Sequence, residues 1–202
     1  MPEWVIRPTR IVVIGSSAGG PRILKTIFTG MPKLDASVIV VQHMPKFINN
    51  SLRDTIAAGA DMRVKIAEQG DVLTHGTVYV APSEVHLTVV QNRTIRLFSG
   101  EKVNFVCPAV DVTMESLTLE LGTSLVGVVI SGMGSDGARG TAHIKALGGT
   151  TIAQDEQTSS IFGMPKEAIA TGCVDLVLDP PAIREALIGL VGTIRKVPVL
   201  YP

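Results

Sequence analysis

The stretch from residue 11 to residue 20, IVVIGSSAGG, limits the possible folds of this chain more than any other part of it. Its first four residues are apolar and predict a strand that is buried on both faces. A glycine-rich turn follows, and residues 21–28 then carry apolar side chains at helical spacing, with Pro21 suited to a first helical turn. The unit is therefore a strand, a tight turn and a helix.

The same alternation of strand and helix continues along most of the chain. Further strands are predicted at residues 36–42, 125–130, 150–154 and 174–178, and further helices at residues 46–58, 138–147, 164–170 and 181–194. Another helix is expected to begin at Asp111, with Met114, Leu117 and Leu121 on one face. This order predicts an α/β fold with a doubly wound, mostly parallel sheet flanked by helices.

Residues 61–98 have a different character, because short alternating runs there are separated by turn residues. Such runs predict a small antiparallel ribbon inserted into the α/β chain. We therefore expect residues 1–202 to form a single domain with an antiparallel insertion at about 61–98.

Composition excludes several classes of function. Eighteen basic residues balance eighteen acidic ones, so nothing indicates a nucleic-acid partner. The apolar runs are far shorter than the ~18 residues of a membrane span, and no signal peptide is visible, so we expect a cytoplasmic protein without membrane insertion. Two cysteines without CxxC spacing indicate free thiols, and the histidines and cysteines lack the spacing of metal ligands. We expect no metal and no cofactor.

The turn after the first strand contains Gly15-Ser16-Ser17-Ala18-Gly19, which fits the G-x-S-x-G pattern of a nucleophile elbow. The pattern places Ser17 at the tip of the strand, in front of helix N–H groups that favour a developing oxyanion. Glycine-rich turns of this kind also bind phosphates, so a nucleotide-binding module is the alternative. The chain lacks both G-x-G-x-x-G and a P-loop lysine, which argues against that alternative.

A nucleophilic serine needs a base, and His43 is the histidine that directly follows a buried strand. In a doubly wound sheet the ligand site lies at the carboxyl ends of the strands, where Ser17 also stands. His75, His86 and His143 are predicted to be surface residues of a turn, a ribbon strand and a helix. The alternative for His43 is a structural role in packing the strand end.

A third group should orient the imidazole, and Asp136 and Asp155 both follow predicted strands. Asp136 is preferred because it lies in a glycine-lined turn, with Asp155 as the second choice. The alternative role for Asp136 is to cap the helix that begins near Ala138. Backbone N–H groups near the elbow and around Met133 are the expected oxyanion donors.

Five blocks of sequence together resemble the catalytic domain of the CheB-type chemotaxis protein-glutamate methylesterases. They are IGSSAGGP, VVQHMP, GDVL with TVYVAP, SGMGSDGA, and TIAQD with FGMPKEAI, and they span nearly the whole chain in order. The resemblance implies hydrolysis of glutamate γ-methyl esters to glutamate and methanol in sensory adaptation, with possible deamidation of glutamines. It also implies a catalytic triad of Ser17, His43 and Asp136, and the cytoplasmic helices of methyl-accepting chemoreceptors as partners.

The chain departs from the family pattern at three places. Ala18 stands where the family often has threonine, and Cys107-Pro108-Ala109-Val110-Asp111 replaces a typical Arg-Pro-Ser-Val-Asp. No receiver domain is present, so we expect either an excised catalytic domain, with a receiver domain as its partner, or a free-standing esterase. A relative that docks on receptors without chemistry is the remaining alternative.

Overall fold

The computed structural model describes residues 10–118 and 124–194, and the fold is given for those residues. Seven parallel strands form one sheet, a hairpin stands outside it, and six α-helices cover it. The strands are β1 (Arg10–Ser16), β2 (Ser37–Gln42), β3 (Arg63–Ile66), β4 (Thr77–Val80), β5 (His86–Val90), β6 (Thr94–Phe98), β7 (Ser124–Val129), β8 (Thr150–Gln154) and β9 (Leu176–Leu178). The helices are α1 (Gly20–Phe28), α2 (Asn49–Gly59), α3 (Val110–Glu115), α4 (Ala138–Ala146), α5 (Met164–Ala170) and α6 (Pro180–Val191).

The strands of the main sheet lie in the order β3-β4-β2-β1-β7-β8-β9. From β1 the chain passes to β2 and then to β3 and β4 at one edge. After the hairpin and α3, it returns to β7 on the other side of β1 and continues outward to β9. The direction of winding therefore reverses beside β1. In doubly wound sheets, ligands bind at the carboxyl ends of the strands next to such a reversal.

The sheet separates two apolar layers, which explains why its central strands are continuously apolar. Val12 and Ile14 of β1 belong to the layer that contains the inner faces of α1, α2 and α6. Ile11 and Val13 point the other way, into the layer formed by α3, α4, α5 and the hairpin. The predicted doubly wound sheet with flanking helices is confirmed.

The predicted small antiparallel element is present, but it is confined to the β5–β6 hairpin. β3 and β4 pair in parallel with each other, and β4 pairs in parallel with β2, so both extend the main sheet. The alternating polar residues of β4 were misleading, because they are buried and their hydroxyl groups are hydrogen-bonded inside the protein. The Tyr79 hydroxyl, for example, donates to the Val72 carbonyl at 3.0 Å and accepts the Thr74 N–H at 3.1 Å.

The helix expected to begin at Asp111 is shorter than predicted, because α3 ends at Glu115 and Leu117 lies beyond it. The other helices differ from the expectations only near their ends. The segment predicted as a helix at 46–58 begins with a single 3₁₀ turn, Lys46–Ile48, before α2. Leu121, expected on one face of α3, lies outside the described residues. Among the helices that the structure describes, none combines the length and the apolar character that crossing a bilayer requires.

Candidate active site

The turn after β1 holds Ser17 at the carboxyl edge of the sheet. β1 ends at Ser16 and α1 begins at Gly20. Between them Gly19 has a φ of 83°, a left-handed conformation that glycine adopts without steric cost. The Ser17 N–H donates to the Ser131 carbonyl at 3.0 Å, and the Ser17 carbonyl accepts the Gly20 N–H at 2.9 Å. The strand, turn and helix expected from the G-x-S-x-G pattern are therefore present, with half-buried Ser17 at the tip.

Gly132, in the loop after β7, packs closely against Ser17 from the side opposite β2. A Cβ atom at Gly132 would lie 2.8 Å from the Ser17 Cβ atom and 2.2 Å from the Met164 sulfur. Both distances are shorter than real Cβ contacts, so any side chain here would displace one of these neighbours. The loop after β7 thus fixes the position of Ser17 by direct contact.

His43 lies beside Ser17 because β1 and β2 run in register. Ser16 pairs with Gln42, and the next residues along the two strands are Ser17 and His43. The His43 N–H donates to the Ser16 carbonyl at 3.0 Å, which continues the ladder past the last strand pair. Neighbouring strands lie about 4.8 Å apart, so the two backbones are held at that separation. The expectation that Ser17 and His43 share one rim is met.

Gln42 is a structural anchor of this rim that sequence reasoning missed. Its buried amide N–H₂ donates to the carbonyls of Ser17 and His43, each at 2.8 Å. Its amide oxygen accepts the Ser16 hydroxyl at 2.6 Å. The Gln42 side chain therefore joins the turn after β1 to the turn after β2. A polar residue at the end of a fully apolar strand run was the signal that could have indicated it.

His43 is hydrogen-bonded to Asp136, as the sequence predicted. The His43 Nε2 atom lies 2.8 Å from the Asp136 Oδ2 atom, and both side chains are nearly buried. The second ring nitrogen, Nδ1, is also buried and has no hydrogen-bond partner among the described residues. In a neutral imidazole whose Nε2–H donates to Asp136, Nδ1 carries the free lone pair. Nδ1 is therefore the nitrogen that is available to accept a proton.

Asp136 is held by donors from another part of the chain. Its carboxylate accepts the backbone N–H groups of Val110 at 2.6 Å and Asp111 at 3.0 Å, at the start of α3. The Asn104 amide adds a longer hydrogen bond of 3.3 Å. Burial acts to raise the pKa of Asp136, but the hydrogen bonds from His43 and from these backbone groups outweigh burial and hold the pKa below its ordinary value. The carboxylate therefore stays ionised beside the imidazole.

The capping role considered for Asp136 belongs instead to Asp111. The Asp111 carboxylate accepts the N–H groups of Gly137 and Gly140, both at 2.8 Å, at the start of α4. Burial raises the pKa of Asp111, the neighbouring charge of Asp136 adds to this, and the Gly140 hydrogen bond only partly opposes it. Asp111, in α3, thus binds the first turn of α4, and Asp136, just before α4, binds the first turn of α3. This exchange locks α3 and α4 together behind His43.

Asp155, the second choice as orienting group, has a local role. Its carboxylate accepts the backbone N–H of Thr158 at 2.9 Å and also the hydroxyl of the same residue. The Asp155 N–H donates to the Leu178 carbonyl at 3.0 Å. These contacts stabilise the turn after β8. No hydrogen bond joins Asp155 to His43 within residues 10–118 and 124–194.

The other three histidines lie away from the rim, in different surroundings. His75 is half-buried and contacts Asp35 at 3.0 Å, and His143 contacts the Leu117 carbonyl at 2.9 Å. The prediction that His86 is a surface residue was wrong, since only 1% of it is exposed. Its ring packs against Phe98 and contacts the Glu101 carbonyl and the Ala109 N–H, so the loop that follows the hairpin buries it.

Two backbone N–H groups near Ser17 are candidates for stabilising an oxyanion. They belong to Ala18, which directly follows Ser17, and to Met133, which follows Gly132. Neither donates to another residue in the part of the chain that the structure describes. In serine hydrolases with a nucleophile elbow, the residue after the nucleophile supplies one such donor. The Met133 side chain is exposed, so this position faces the open edge of the sheet.

An open groove of about 440 Å³ adjoins His43. Its walls come from the loop after β2, from the loop between β4 and β5, which carries Glu84, and from the loop between β6 and α3, which carries Lys102, Phe105 and Cys107. Burial raises the pKa of the Cys107 thiol, and the Glu84 charge adds to this while the Lys102 charge opposes it. Neither Cys107 nor Cys173 forms a disulfide, as expected.

A serine at a strand-to-helix elbow, next to a histidine bonded to a buried aspartate, is the arrangement that serine hydrolases use. Residues 12–187 match the family described as CheB methylesterase, and the chain belongs to that family. The protein named protein-glutamate methylesterase/protein-glutamine glutaminase of Thermotoga maritima is 42% identical over 186 residues, which is 90% of this chain and 54% of the relative. The protein of the same name in Pyrococcus horikoshii is 44% identical over 193 residues, which is 93% of this chain and 52% of the relative.

A solved structure has the same fold. The crystal structure of the Thermotoga maritima CheB methylesterase catalytic domain superposes with a TM-score of 0.82 at 42% identity, covering 90% of this chain and 98% of that chain. The present chain spans about half the length of the curated relatives that it matches. The likeness to the solved structure thus covers a catalytic domain.

Proposed function

We propose that this chain hydrolyses the methyl esters of glutamate side chains in proteins, with Ser17 as nucleophile, His43 as general base and Asp136 as the orienting group. The observation that carries the proposal is the 2.8 Å contact between His43 Nε2 and Asp136, which leaves Nδ1 as the proton acceptor on the rim shared with Ser17. Family membership and the names of the relatives support the choice of ester and of a protein substrate.

In the first step, the Ser17 oxygen attacks the ester carbonyl while its proton passes to His43 Nδ1. The Asp136 carboxylate stabilises the imidazolium that forms. The negative charge on the former carbonyl oxygen is met by the N–H groups of Ala18 and Met133. When the intermediate collapses, the bond to the methoxy oxygen breaks. The leaving methoxide takes the proton from Nδ1, so methanol departs and an acyl-enzyme remains.

The second step restores the enzyme. A water molecule gives a proton to His43 Nδ1 and attacks the acyl carbon, and the bond to Ser17 then breaks. The Ser17 oxygen recovers its proton from Nδ1, and the substrate side chain leaves as free glutamate. Each turnover therefore consumes one water and releases one methanol.

The same steps act on a glutamine side chain, with ammonia leaving in place of methanol. The relatives carry both activities in their names, which favours glutaminase activity as a second function of this site. Methylated chemoreceptors are the proposed substrates, because this chain carries the sequence blocks of the chemotaxis methylesterases. The proposed place of action is the cytoplasm, and a receiver domain is the proposed partner if the chain is part of a longer protein.

The test is methanol release from a methylated chemoreceptor fragment. Wild-type protein should release methanol, and Ser17→Ala should lower the rate by about three or more orders of magnitude. Ser135→Ala, which removes an exposed hydroxyl on the same edge of the sheet, is the matched control and should keep the wild-type rate. Both variants should melt within a few degrees of wild type. Methanol release by Ser17→Ala at the wild-type rate, or none by wild type, would contradict the proposal.

A further inference from the structure

The loop between β6 and α3 carries an unusual turn at its tip. Val103 and Val106 exchange two backbone hydrogen bonds, each 3.1 Å long. The two residues between them, Asn104 and Phe105, have φ values of 52° and 66°. A two-residue turn with both central residues left-handed is a type I′ turn. Asn is common at such a position, whereas a bulky side chain is an outlier there.

Neither backbone preference nor burial accounts for a phenylalanine at position 105. Glycine is the residue that a type I′ turn favours at its second central position. Burial in a core could offset the strain of an aromatic residue, but Phe105 is 94% exposed, the highest value among the large apolar residues that the structure describes. The strain is therefore not offset within the folded chain. Strained residues of this kind concentrate at functional sites and at sites that bind ligands.

The loop beneath the ring is firmly held. The Asn104 amide donates to Asp111 at 2.8 Å and to Asp136 at 3.3 Å, which ties the tip of the turn to the carboxylate that contacts His43. Buried His86 holds both ends of the loop. Its Nε2 atom lies 2.9 Å from the Glu101 carbonyl, and its Nδ1 atom accepts the Ala109 N–H at 3.3 Å. The turn is thus a rigid support that presents one aromatic ring to the solvent.

Phe105 belongs to the wall of the groove that His43 also lines. Met44 and Lys102 contribute to the same wall. Aromatic residues, phenylalanine among them, are enriched at the centres of protein–protein interfaces. The esterified glutamate side chain is uncharged, so it offers no charge of its own to Glu84 or Lys102 on this wall. An apolar neighbour of the ester fits the exposed face of Phe105.

We propose that Phe105 is a specificity-determining residue that packs against an apolar side chain of the protein substrate, next to the esterified glutamate. This rests on the proposed function. The turn from Val103 to Val106 holds the ring at a fixed distance from His43, so that binding the apolar neighbour places the ester carbonyl in front of Ser17. Phe105 thus selects the protein ester that is bound, while Ser17, His43 and Asp136 carry out its hydrolysis.

The test compares two substrates, a methylated chemoreceptor fragment and the small ester p-nitrophenyl acetate. Phe105→Ala should raise KM for the methylated fragment about tenfold or more, with a much smaller effect on kcat. The loss in kcat/KM should be at least about fivefold larger for the fragment than for the small ester. Phe47→Ala is the matched control, because Phe47 is also an exposed aromatic residue, at 83%, but lines a separate surface with Lys25 and Asn50. Phe47→Ala should leave KM and kcat at their wild-type values for both substrates.

Two further variants separate a substrate contact from a structural role. Phe105→Gly suits the left-handed backbone and should melt at or above the wild-type temperature. It should nevertheless raise KM for the methylated fragment as much as Phe105→Ala does. Phe105→Tyr, which keeps the aromatic ring, should retain the wild-type KM for the methylated fragment. If Phe105→Ala and Phe47→Ala give equal KM values while wild type releases methanol, the role of Phe105 is refuted and the proposed function stands. If wild type hydrolyses only the small ester, the protein substrate itself is refuted, and the role of Phe105 with it.

Discussion

The loops after β7 and β8 both place an aspartate at the carboxyl edge of the sheet, but the two carboxylates have different surroundings. Asp136, after β7, is 2% exposed and accepts hydrogen bonds from His43 and from the first residues of α3. Asp155, after β8, accepts hydrogen bonds from Thr158, three residues further along its own loop. One carboxylate joins distant parts of the chain, whereas the other completes a turn.

The comparison shows that a position at a strand end does not decide the role of a carboxylate. Asp136 can reach His43 because the first turn of α3 supplies backbone N–H groups that offset its burial. Asp155 has a nearer partner, and a local side-chain-to-backbone bond of this kind forms without tertiary contacts. The donors that surround a carboxylate, more than its place along a strand, set what it does.

Removing the charge of Asp136 should produce the largest difference between the two loops. Asp136→Asn should lower kcat for ester hydrolysis by about four orders of magnitude, because the imidazolium loses its counter-charge and the amide favours the wrong imidazole tautomer. Steady-state kinetics with p-nitrophenyl acetate and with a methylated receptor fragment would measure this.

Asp155→Asn is the matched control, since it changes the same atoms one strand away. It should alter kcat by less than about threefold, because Asp155 contacts neither His43 nor Ser17 in the described residues. If Asp155→Asn were the more damaging of the two, Asp155 would be the orienting group and Asp136 would serve only to bind α3.

The glutamines that end β2 and β8 extend the comparison with a smaller effect. Gln42→Ala removes the amide that holds the Ser17 and His43 carbonyls, and should lower kcat by about 10- to 100-fold. It should also cost about 1–3 kcal/mol in the free energy of unfolding, because buried carbonyls lose their donors.

Gln154→Ala is the control for that variant. Gln154 accepts the Ser131 N–H at 2.8 Å and donates to Thr158 at 3.1 Å, so it supports the loops without bonding to Ser17 or His43. A similar loss of stability with a clearly smaller loss of kcat is expected from urea unfolding and steady-state kinetics. Equal losses of kcat would show that Gln42 acts only through general stability.

The smallest effect concerns the order in which the two buried carboxylates take up protons. The pKa of Asp136 lies below its ordinary value and that of Asp111 above it, so Asp111 should protonate first as the pH falls. Asp136 stabilises the fold at pH values above the ordinary carboxyl pKa. This stabilisation is lost as the pH falls through the lower pKa that Asp136 has in the native state. Ionisation of Asp111 opposes folding as the pH rises through its raised native pKa. Carbon-detected NMR of the carboxyl groups would follow both, and earlier protonation of Asp136 would contradict the assignment of donors.

The sequence was sufficient for the features that depend on local pattern and on strand order. The elbow of Ser17 follows from glycine spacing, and the placement of His43 beside it follows from the rule that parallel strands end at one edge. The preference for Asp136 over Asp155 matches the contacts that the structure shows with His43. These are cases in which the chain direction alone brings residues together.

The rest depends on contacts between distant segments, which no local pattern contains. The hydrogen bonds by which Asp136 and Asp111 join α3 to α4 connect residues about 25 positions apart, and they depend on how the two helices pack. The burial of His86 depends on the loop that follows the hairpin, because the Glu101 carbonyl and the Ala109 N–H contact its ring. For β4 the alternation of polar residues was the wrong signal, because Thr77 and Tyr79 satisfy their hydroxyl groups inside the protein.

The most direct test of the central claim is to label the nucleophile itself. Wild-type protein treated with a fluorophosphonate should gain one adduct, which peptide mass spectrometry places on Ser17 and not on its buried neighbour Ser16. The rate of labelling should fall by orders of magnitude in Asp136→Asn and stay near wild type in Asp155→Asn. An adduct on another residue, or labelling of Ser17→Ala at the wild-type rate, would contradict the account.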